Sequence, residues 1–146
     1  MITIENLNLN NVEAVSIIEK EMIETPWGLN ALKKEIENKN AFYAVIKKDD
    51  KVLGYGGIWF SIGTSDITNI AVLKEERRKG YGSIILNELI KKAIENKCYE
   101  INLEVNENNM GAILLYEKNG FLKVGLRKKY YNNKDNAILM QFNEEK

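Results

Sequence analysis

The chain has no histidine, and that absence removes more chemistry than any other feature of its 146 residues. Ser-His and Cys-His nucleophilic pairs are excluded, and zinc sites lose their commonest ligand, so no metal is expected. A general base here must be Glu, Asp, Lys, Tyr or water. The single cysteine, Cys98, rules out an intramolecular disulfide, fits a reducing compartment and reads as a small apolar residue packed at the start of a strand. Neither sign of charge is in excess. The 21 basic residues balance 21 acidic ones, so no global field favours nucleic acid and any phosphate binding must be local. Long apolar runs are also missing. The longest, residues 52–60, is about half a membrane span, and the first residues lack a basic n-region and an apolar h-region. A cytoplasmic protein without membrane association is the expectation.

With 45% hydrophobic and 29% charged residues, the chain has the composition of an ordinary soluble globule, and its length suits one domain over 1–146. A short strand over residues 2–7 precedes a helix capped by Asn10 or Asn11, in which Val12, Val15, Ile18 and Met22 recur at helical spacing. Pro26 and Gly28 break the pattern before a second short helix through Leu29, Leu32 and Ile36. Strands are expected over 41–48 and 52–60, joined at Asp49-Asp50-Lys51, and over 66–73. Ile85, Leu86, Leu89, Ile90 and Ala93 give the longest helix its apolar face, and Asn96-Lys97 ends it. A strand over 99–105 leads to a helix over 110–118, capped by Asn108 or Asn109 and stopped by Asn119-Gly120. Strands over 121–126 and 137–142 flank a polar loop. The resulting order is β-α-α-β-β-β-α-β-α-β-β.

Arg77-Arg78-Lys79-Gly80-Tyr81-Gly82 joins a strand to a helix beginning near Ser83. A helix start offers unpaired amides and the positive end of the helix dipole, and glycines let those amides approach an anion closely. That placement favours a pyrophosphate site over a plain turn. A Walker loop needs GxxxxGK followed by Ser or Thr, which Gly80-Tyr81-Gly82-Ser83 does not supply. A dinucleotide fingerprint needs a third glycine where Ile85 stands. Downstream, Glu104 alternates with apolar Leu103 and Val105, so its side chain points to the opposite face of its strand. Tyr116 follows in a helix beside Ile113, Leu114 and Leu115, a spacing that by itself usually means core packing.

What remains of the loop resembles the acetyl-CoA loop of the GCN5-related N-acetyltransferases, the GNAT superfamily. Arg77, Gly80 and Gly82 fill its Arg/Gln-x-x-Gly-x-Gly/Ala pattern, and the element order is that superfamily's over nearly the whole chain. Three stretches resemble its ribosomal-protein-alanine N-acetyltransferase (RimI) type. They are Thr25-Pro26-Trp27, Asn69-Ile70-Ala71-Val72, and Leu103-Glu104-Val105 leading through Asn109 to Leu115-Tyr116-Glu117. Gly28 departs from the Ser or Thr cap expected after Pro-Trp.

The resemblance implies an α/β (α+β mixed sheet) GNAT fold whose fourth strand splays from the fifth, with acetyl-CoA as co-substrate in the gap. Ile70, Ala71 and Val72 would meet the pantetheine arm through main chain. Arg77, Arg78, Lys79, Gly80, Tyr81, Gly82 and Ser83 would hold the pyrophosphate, with the residue that meets the 3′-phosphate left open among the three cations. Asn109 would touch the cofactor besides capping its helix. Glu104 would be the general base and Tyr116 the acid that protonates the departing thiolate, as a phenol with a pKa near ~10 can. Trp27, Tyr130 and Tyr131 would meet the acceptor, implied to be the amino-terminal alanine of a ribosomal protein. A lysine, polyamine or other small amine as acceptor, and a non-catalytic acyl-CoA-binding module, stay open. The expected state is a monomer or weak dimer.

Overall fold

A computed structural model of the chain describes residues 1–23, 25–131 and 134–144, and of 129–131 the backbone alone. The strands are β1 (Ile2–Asn6), β2 (Ala41–Lys48), β3 (Lys51–Phe60), β4 (Thr64–Val72), β5 (Glu100–Asn106), β6 (Leu122–Tyr131) and β7 (Asp135–Asn143). The helices are α1 (Val12–Met22), α2 (Leu29–Glu35), α3 (Tyr81–Glu95) and α4 (Met110–Lys118), in the order read from the sequence. One mixed sheet holds all seven strands in the order β1-β2-β3-β4-β5-β7-β6.

Two apolar layers cover the sheet. On one face α1 and α2 bury Val12, Val15, Ile18 and Leu32 against Tyr43, Val45, Tyr55 and Ala71. On the other, Ile85, Leu86 and Leu89 of α3 and Ile113 and Tyr116 of α4 pack with Ile58, Ile101, Leu103 and Phe121. Each fully buried Leu or Ile contributes roughly 1.5–3 kcal/mol. Glycines admit the helices closely, since a Cβ on Gly56 would lie 3.2 Å from Leu89 and one on Gly82 3.2 Å from Leu115.

β4 and β5 run parallel and pair only at Thr64↔Glu100, Ser65↔Ile101 and Asp66↔Asn102. Beyond that point β4 stays on β3 and β5 on β7, so the strands part and a wedge opens between their C-terminal halves. The local cause is visible in the register. Gly57 opposes Asn69 and Ile58 opposes Ile67, which leaves Thr68 as one extra residue on β4. Such a bulge bends its strand and disrupts the ladder, and this one follows directly on the last β4–β5 pair.

Several boundaries moved. α3 starts at Tyr81, with the exposed Gly80 as its left-handed N-cap (φ 85°). β4 starts at Thr64 because the end of β3 pairs with it at Phe60↔Ser65. β6 and β7 extend well into the expected polar loop. β6 is a sheet edge, where solvent-facing Lys and Arg suit a strand. Asn11 occupies the α1 N-cap without capping through its side chain; its Oδ1 instead accepts the Asn8 N–H at 2.9 Å. Asn109 does cap α4, accepting the Ala112 N–H at 3.2 Å.

The close crossing of β2, β3 and β4 yields a stability prediction. A Cβ on Gly57 would run into the Tyr43 ring and come within 2.6 Å of Thr68 Oγ1. Gly57→Ala is expected to lose about 1–3 kcal/mol in urea unfolding, the usual range for overpacking. A loss within experimental error would show that the Tyr43 ring yields freely.

Candidate active site

The wedge brings residues from both faces of the sheet to one place. β5 is paired with β7 along its whole length, while its edge toward β4 is unpaired beyond Asn102. Glu104 lies on that free stretch, partly exposed between buried Leu103 and Val105, as the alternation required. Its row on the sheet is the α1/α2 face, because Trp59, Asp66 and Asn102 are successive register partners and Glu104 is two residues beyond Asn102. Tyr116 belongs to the layer on the opposite face of the sheet. It is 6% exposed, within the α3/α4 layer, and its ring lies 5.7 Å from that of Phe121. The two candidate catalytic side chains therefore flank β5 from opposite sides.

Ile70 and Val72 pack partly buried on the α3 layer and Ala71 on the α1 layer, so their side chains are core. Their main chain pairs with β3 on one side and faces the wedge on the other. This exposed edge fits a ligand that bonds to backbone as an added strand does. At the wedge mouth, Arg77, Arg78, Lys79 and Gly80 are all exposed. Arg78 and Gly80 adopt positive φ (65° and 85°), turning the chain sharply into α3. The amides of the first α3 turn lack intrahelical partners and no side chain caps them, which suits a phosphate. Lys79 pairs with Glu76 at 3.1 Å. Ser83 Oγ accepts from Asn119 Nδ2 at 3.5 Å, tying α3 to the end of α4. Beside the mouth a cavity of about 780 Å³ lies between the β2–β3 turn and the pre-helix loop, lined by Lys48, Asp50, Lys51, Glu76 and Lys79 among others. It is distinct from the wedge.

Four residues that matter here were not anticipated from the sequence. Arg127 of β6 reaches across the sheet and pairs with Glu104 at 2.9 Å. Glu19, only 1% exposed, accepts the N–H groups of Trp27 (2.8 Å) and Gly28 (3.1 Å). That carboxylate fixes the turn ahead of α2, whose N-cap Gly28 makes no side-chain capping bond and supplies a positive φ of 94°. Glu35 accepts the Tyr43 hydroxyl (2.6 Å) and the Trp59 indole N–H (2.7 Å) through one oxygen. Trp27 stacks on Trp59 with ring centroids 5.5 Å apart and planes at 19°. The side chains of Tyr130 and Tyr131 lie outside the described residues. Among the described residues no cluster of His, Cys, Asp or Glu could hold a metal ion, and no helix is long and apolar enough to cross a membrane.

Three titrations stand out on the α1/α2 face. Burial, reinforced by the Glu35 hydrogen bond, pushes the Tyr43 phenol far above its ordinary value, and burial with the nearby Glu19 charge does the same to Tyr55. Asp66 is raised by burial and by the Glu100 carboxylate two residues before its β5 partner Asn102.

Comparison with known proteins gave consistent results. The family model described as the acetyltransferase (GNAT) family matches residues 11–121. A putative bS18-alanine N-acetyltransferase of Bacillus subtilis is 34% identical over 139 residues, covering 94% of this chain and 92% of that protein. The bS18-alanine N-acetyltransferase of Haemophilus influenzae is 30% identical over 146 residues, with 96% and 97% covered. The crystal structure of the ribosomal-protein-S18-alanine N-acetyltransferase from Escherichia coli superposes with a TM-score of 0.88 at 25% identity, covering 98% of this chain and 94% of that one.

The Asp66 shift carries a sign that can be checked. A carboxyl raised in the folded state binds a proton there before it does in the unfolded chain, so stability falls as pH rises through that window. Asp66→Asn is expected to raise the melting temperature at neutral pH by no more than a few degrees, because the carboxylate is only partly buried and solvent screens it well. The gain should vanish below the ordinary Asp range near ~3.9. A gain that persists in acid would assign the effect to something other than charge.

Proposed function

The chain belongs to the acetyltransferase (GNAT) family and is an acyltransferase of that class, and we propose that its acceptor is the amino-terminal alanine amine of a ribosomal protein. The observation that carries this reading is the open β4–β5 wedge flanked by Glu104 on one face and Tyr116 on the other. A donor entering from the α3/α4 side and an acceptor from the α1/α2 side would meet there. Acetyl-CoA is the donor, which supplies an activated thioester carbonyl when bound.

In this reading the main chain of Ile70, Ala71 and Val72 orients the pantetheine arm. A β4 amide facing the wedge receives the developing charge on the carbonyl oxygen. The first-turn amides of α3 with Gly80, Tyr81, Gly82 and Ser83 hold the pyrophosphate, while Arg77, Arg78 and Lys79 supply cations for the 3′-phosphate. Asn109, its side chain turned to Ala112, keeps its capping role beside any cofactor contact. Glu104, directly or through one water, takes a proton from the acceptor ammonium, a mildly acidic group with a pKa near ~8. The amine nitrogen then bonds to the acyl carbon and passes its surplus proton to solvent as the carbon–sulfur bond breaks, while the Tyr116 hydroxyl gives its proton to the sulfur and regains one from solvent. Arg127 holds the Glu104 carboxylate on the acceptor face and shares it with the incoming ammonium. Trp27, Tyr130 and Tyr131 wall the acceptor. The buried single cysteine is in keeping with a cytoplasmic setting, and one domain over 1–146 working as a monomer or weak dimer completes the reading.

The choice of an α-amine over a lysine or polyamine draws on the relatives, whose names specify bS18 alanine. Incubation with acetyl-CoA and a panel of peptides and small amines should give acetylation of Ala-starting peptides at the α-amine. Preferential acetylation of lysine or polyamines would overturn the acceptor, and binding without any turnover would reduce the protein to an acyl-CoA-binding module. Glu104→Gln and Tyr116→Phe should each slow turnover by about 10²–10⁴-fold while acetyl-CoA affinity stays near wild type. Wild-type turnover in either variant would remove that residue from the chemistry.

A further inference from the structure

Among the described residues, Tyr55 Oη, Ser65 Oγ, Thr68 Oγ1 and Asn69 Oδ1 are buried side-chain oxygens without a hydrogen-bond partner. Tyr55 and Ser65 are 1% and 0% exposed, so no ligand reaches them. Thr68 and Asn69 differ, because each is only half-buried and stands where β4 leaves β5. No hydrogen bond among the described residues uses the Asn69 Nδ2, and that nitrogen is not shut in with its oxygen. The side-chain amide hides its acceptor and presents its donors.

The bulge decides which face those two side chains take. Ile67 and Ile70 both pack on the α3/α4 layer. Alternation forward from Ile67 puts Thr68 on the α1/α2 face, and alternation back from Ile70 puts Asn69 there too. The register agrees. Asn69 opposes Gly57, which opposes Tyr43 of the α1/α2 layer, and Thr68 Oγ1 lies 2.6 Å from where a Gly57 Cβ would stand. A regular strand would turn one of the two into the apolar α3/α4 layer. Counting on from Asp66↔Asn102, a continued parallel ladder would set Thr68 opposite Glu104. The wedge therefore opens between Glu104 and the Thr68–Asn69 pair.

The chemistry of that outward amide nitrogen narrows its partner. It cannot hold the acceptor ammonium, which has only donors of its own. It suits an oxygen. A donor arm bonded to the main chain of Ile70, Ala71 and Val72 would end at the closed end of the wedge, beside residue 69, and its acyl carbonyl is the oxygen that gains negative charge as nitrogen bonds to carbon. We propose that Asn69 is a catalytic residue, whose Nδ2 donates a hydrogen bond to the acyl carbonyl oxygen and joins the β4 amide in stabilising the developing charge. The Thr68 bulge is what turns it to the reacting face. A donor fixed before the reaction stabilises that charge without having to reorient, which offsets the roughly 1–3 kcal/mol that the orphaned Oδ1 costs the fold. This rests on acetyl-CoA lying in the wedge as the acyl donor, and not on the identity of the acceptor.

Asn69→Val removes the donor and the orphaned oxygen together. It should lower kcat by about 10²–10³-fold on whichever amine the protein acetylates, with acetyl-CoA affinity and the acceptor KM within about twofold of wild type. Its melting temperature should equal or exceed that of wild type, because an unpaired polar atom has left the interior. Asn69→Asp, which keeps the shape and replaces the donor by an oxygen, should be as slow as Asn69→Val, and Asn69→Ser should regain part of the rate. Isotope-edited infrared spectra of bound acetyl-CoA, labelled with carbon-13 at its carbonyl, give a readout without turnover. The carbonyl stretch should lie at lower frequency on wild type than on Asn69→Val. The same stretch in both proteins overturns the proposal. So does a loss confined to the acceptor KM, which would move Asn69 to a contact with the acceptor, or a slower variant that has also lost melting temperature and acetyl-CoA affinity, which would make Asn69 a packing residue. If the wild type acetylates no amine, the acyl-transfer reading fails and the spectral comparison still decides, a difference supporting the contact with the carbonyl and its absence removing it.

Discussion

Three residue pairs hold β4 to β5, and the parting of the strands after Asp66↔Asn102 is the constraint on which the rest of this molecule depends. A parallel pair embedded in a seven-stranded sheet would normally continue its ladder, because each unmade backbone hydrogen bond is costly to bury. Here each strand is anchored on its outer side, β4 by β3 and β5 by β7, so the separation costs the sheet only its central ladder. The freed edges face the opening between the two strands.

The wedge also explains why the two faces are built so differently. On the α3/α4 side, close contacts at Gly82 and Leu115 and a helix start at Gly80 leave main-chain groups directed at the mouth, the chemistry suited to phosphate and amide ligands. On the other side the sheet beyond α1 and α2 carries a polar row. Asn102 donates to Glu100 at 3.1 Å, Gln141 to Asn102 at 2.9 Å, and Arg127 meets Glu104. One face offers backbone and the other side chains, an arrangement that suits the proposed approach of donor and acceptor from opposite sides.

Much of this was legible in the sequence, for identifiable reasons. The element order, the α3 and α4 apolar faces, the Asn109 cap and the alternation around Glu104 are short-range patterns, set by spacing along the chain. The placement of the glycine loop at a helix start was legible because it follows from spacing along the chain. Long-range pairing was not. The bulge at Thr68 is defined by which β3 residue each β4 residue meets, and the Arg127 ion pair spans two strand neighbours. Glu19 was unreadable for a related reason, since a helix carboxylate eight residues before the amide it binds looks like a solvated charge until the loop folds back. The extent of β6 and β7 was missed because edge strands tolerate the polar residues that otherwise signal a loop.

The bulge carries a cost that bears on what the site is for. Thr68 Oγ1 and Asn69 Oδ1 are buried with no hydrogen-bond partner among the described residues, and each such group costs roughly 1–3 kcal/mol. They sit together at the point where β4 leaves β5, on the strand whose next residues, Ile70, Ala71 and Val72, line the wedge. A sequence selected for stability alone would replace them with Val or Ile, which suit a strand better and carry no polar atom. Local departures of this kind concentrate where a fold must hold a shape that its own packing does not favour. The packing of the α1/α2 and α3/α4 layers, which buries most of the large apolar side chains on either side, is what allows the strand to keep that shape at its centre.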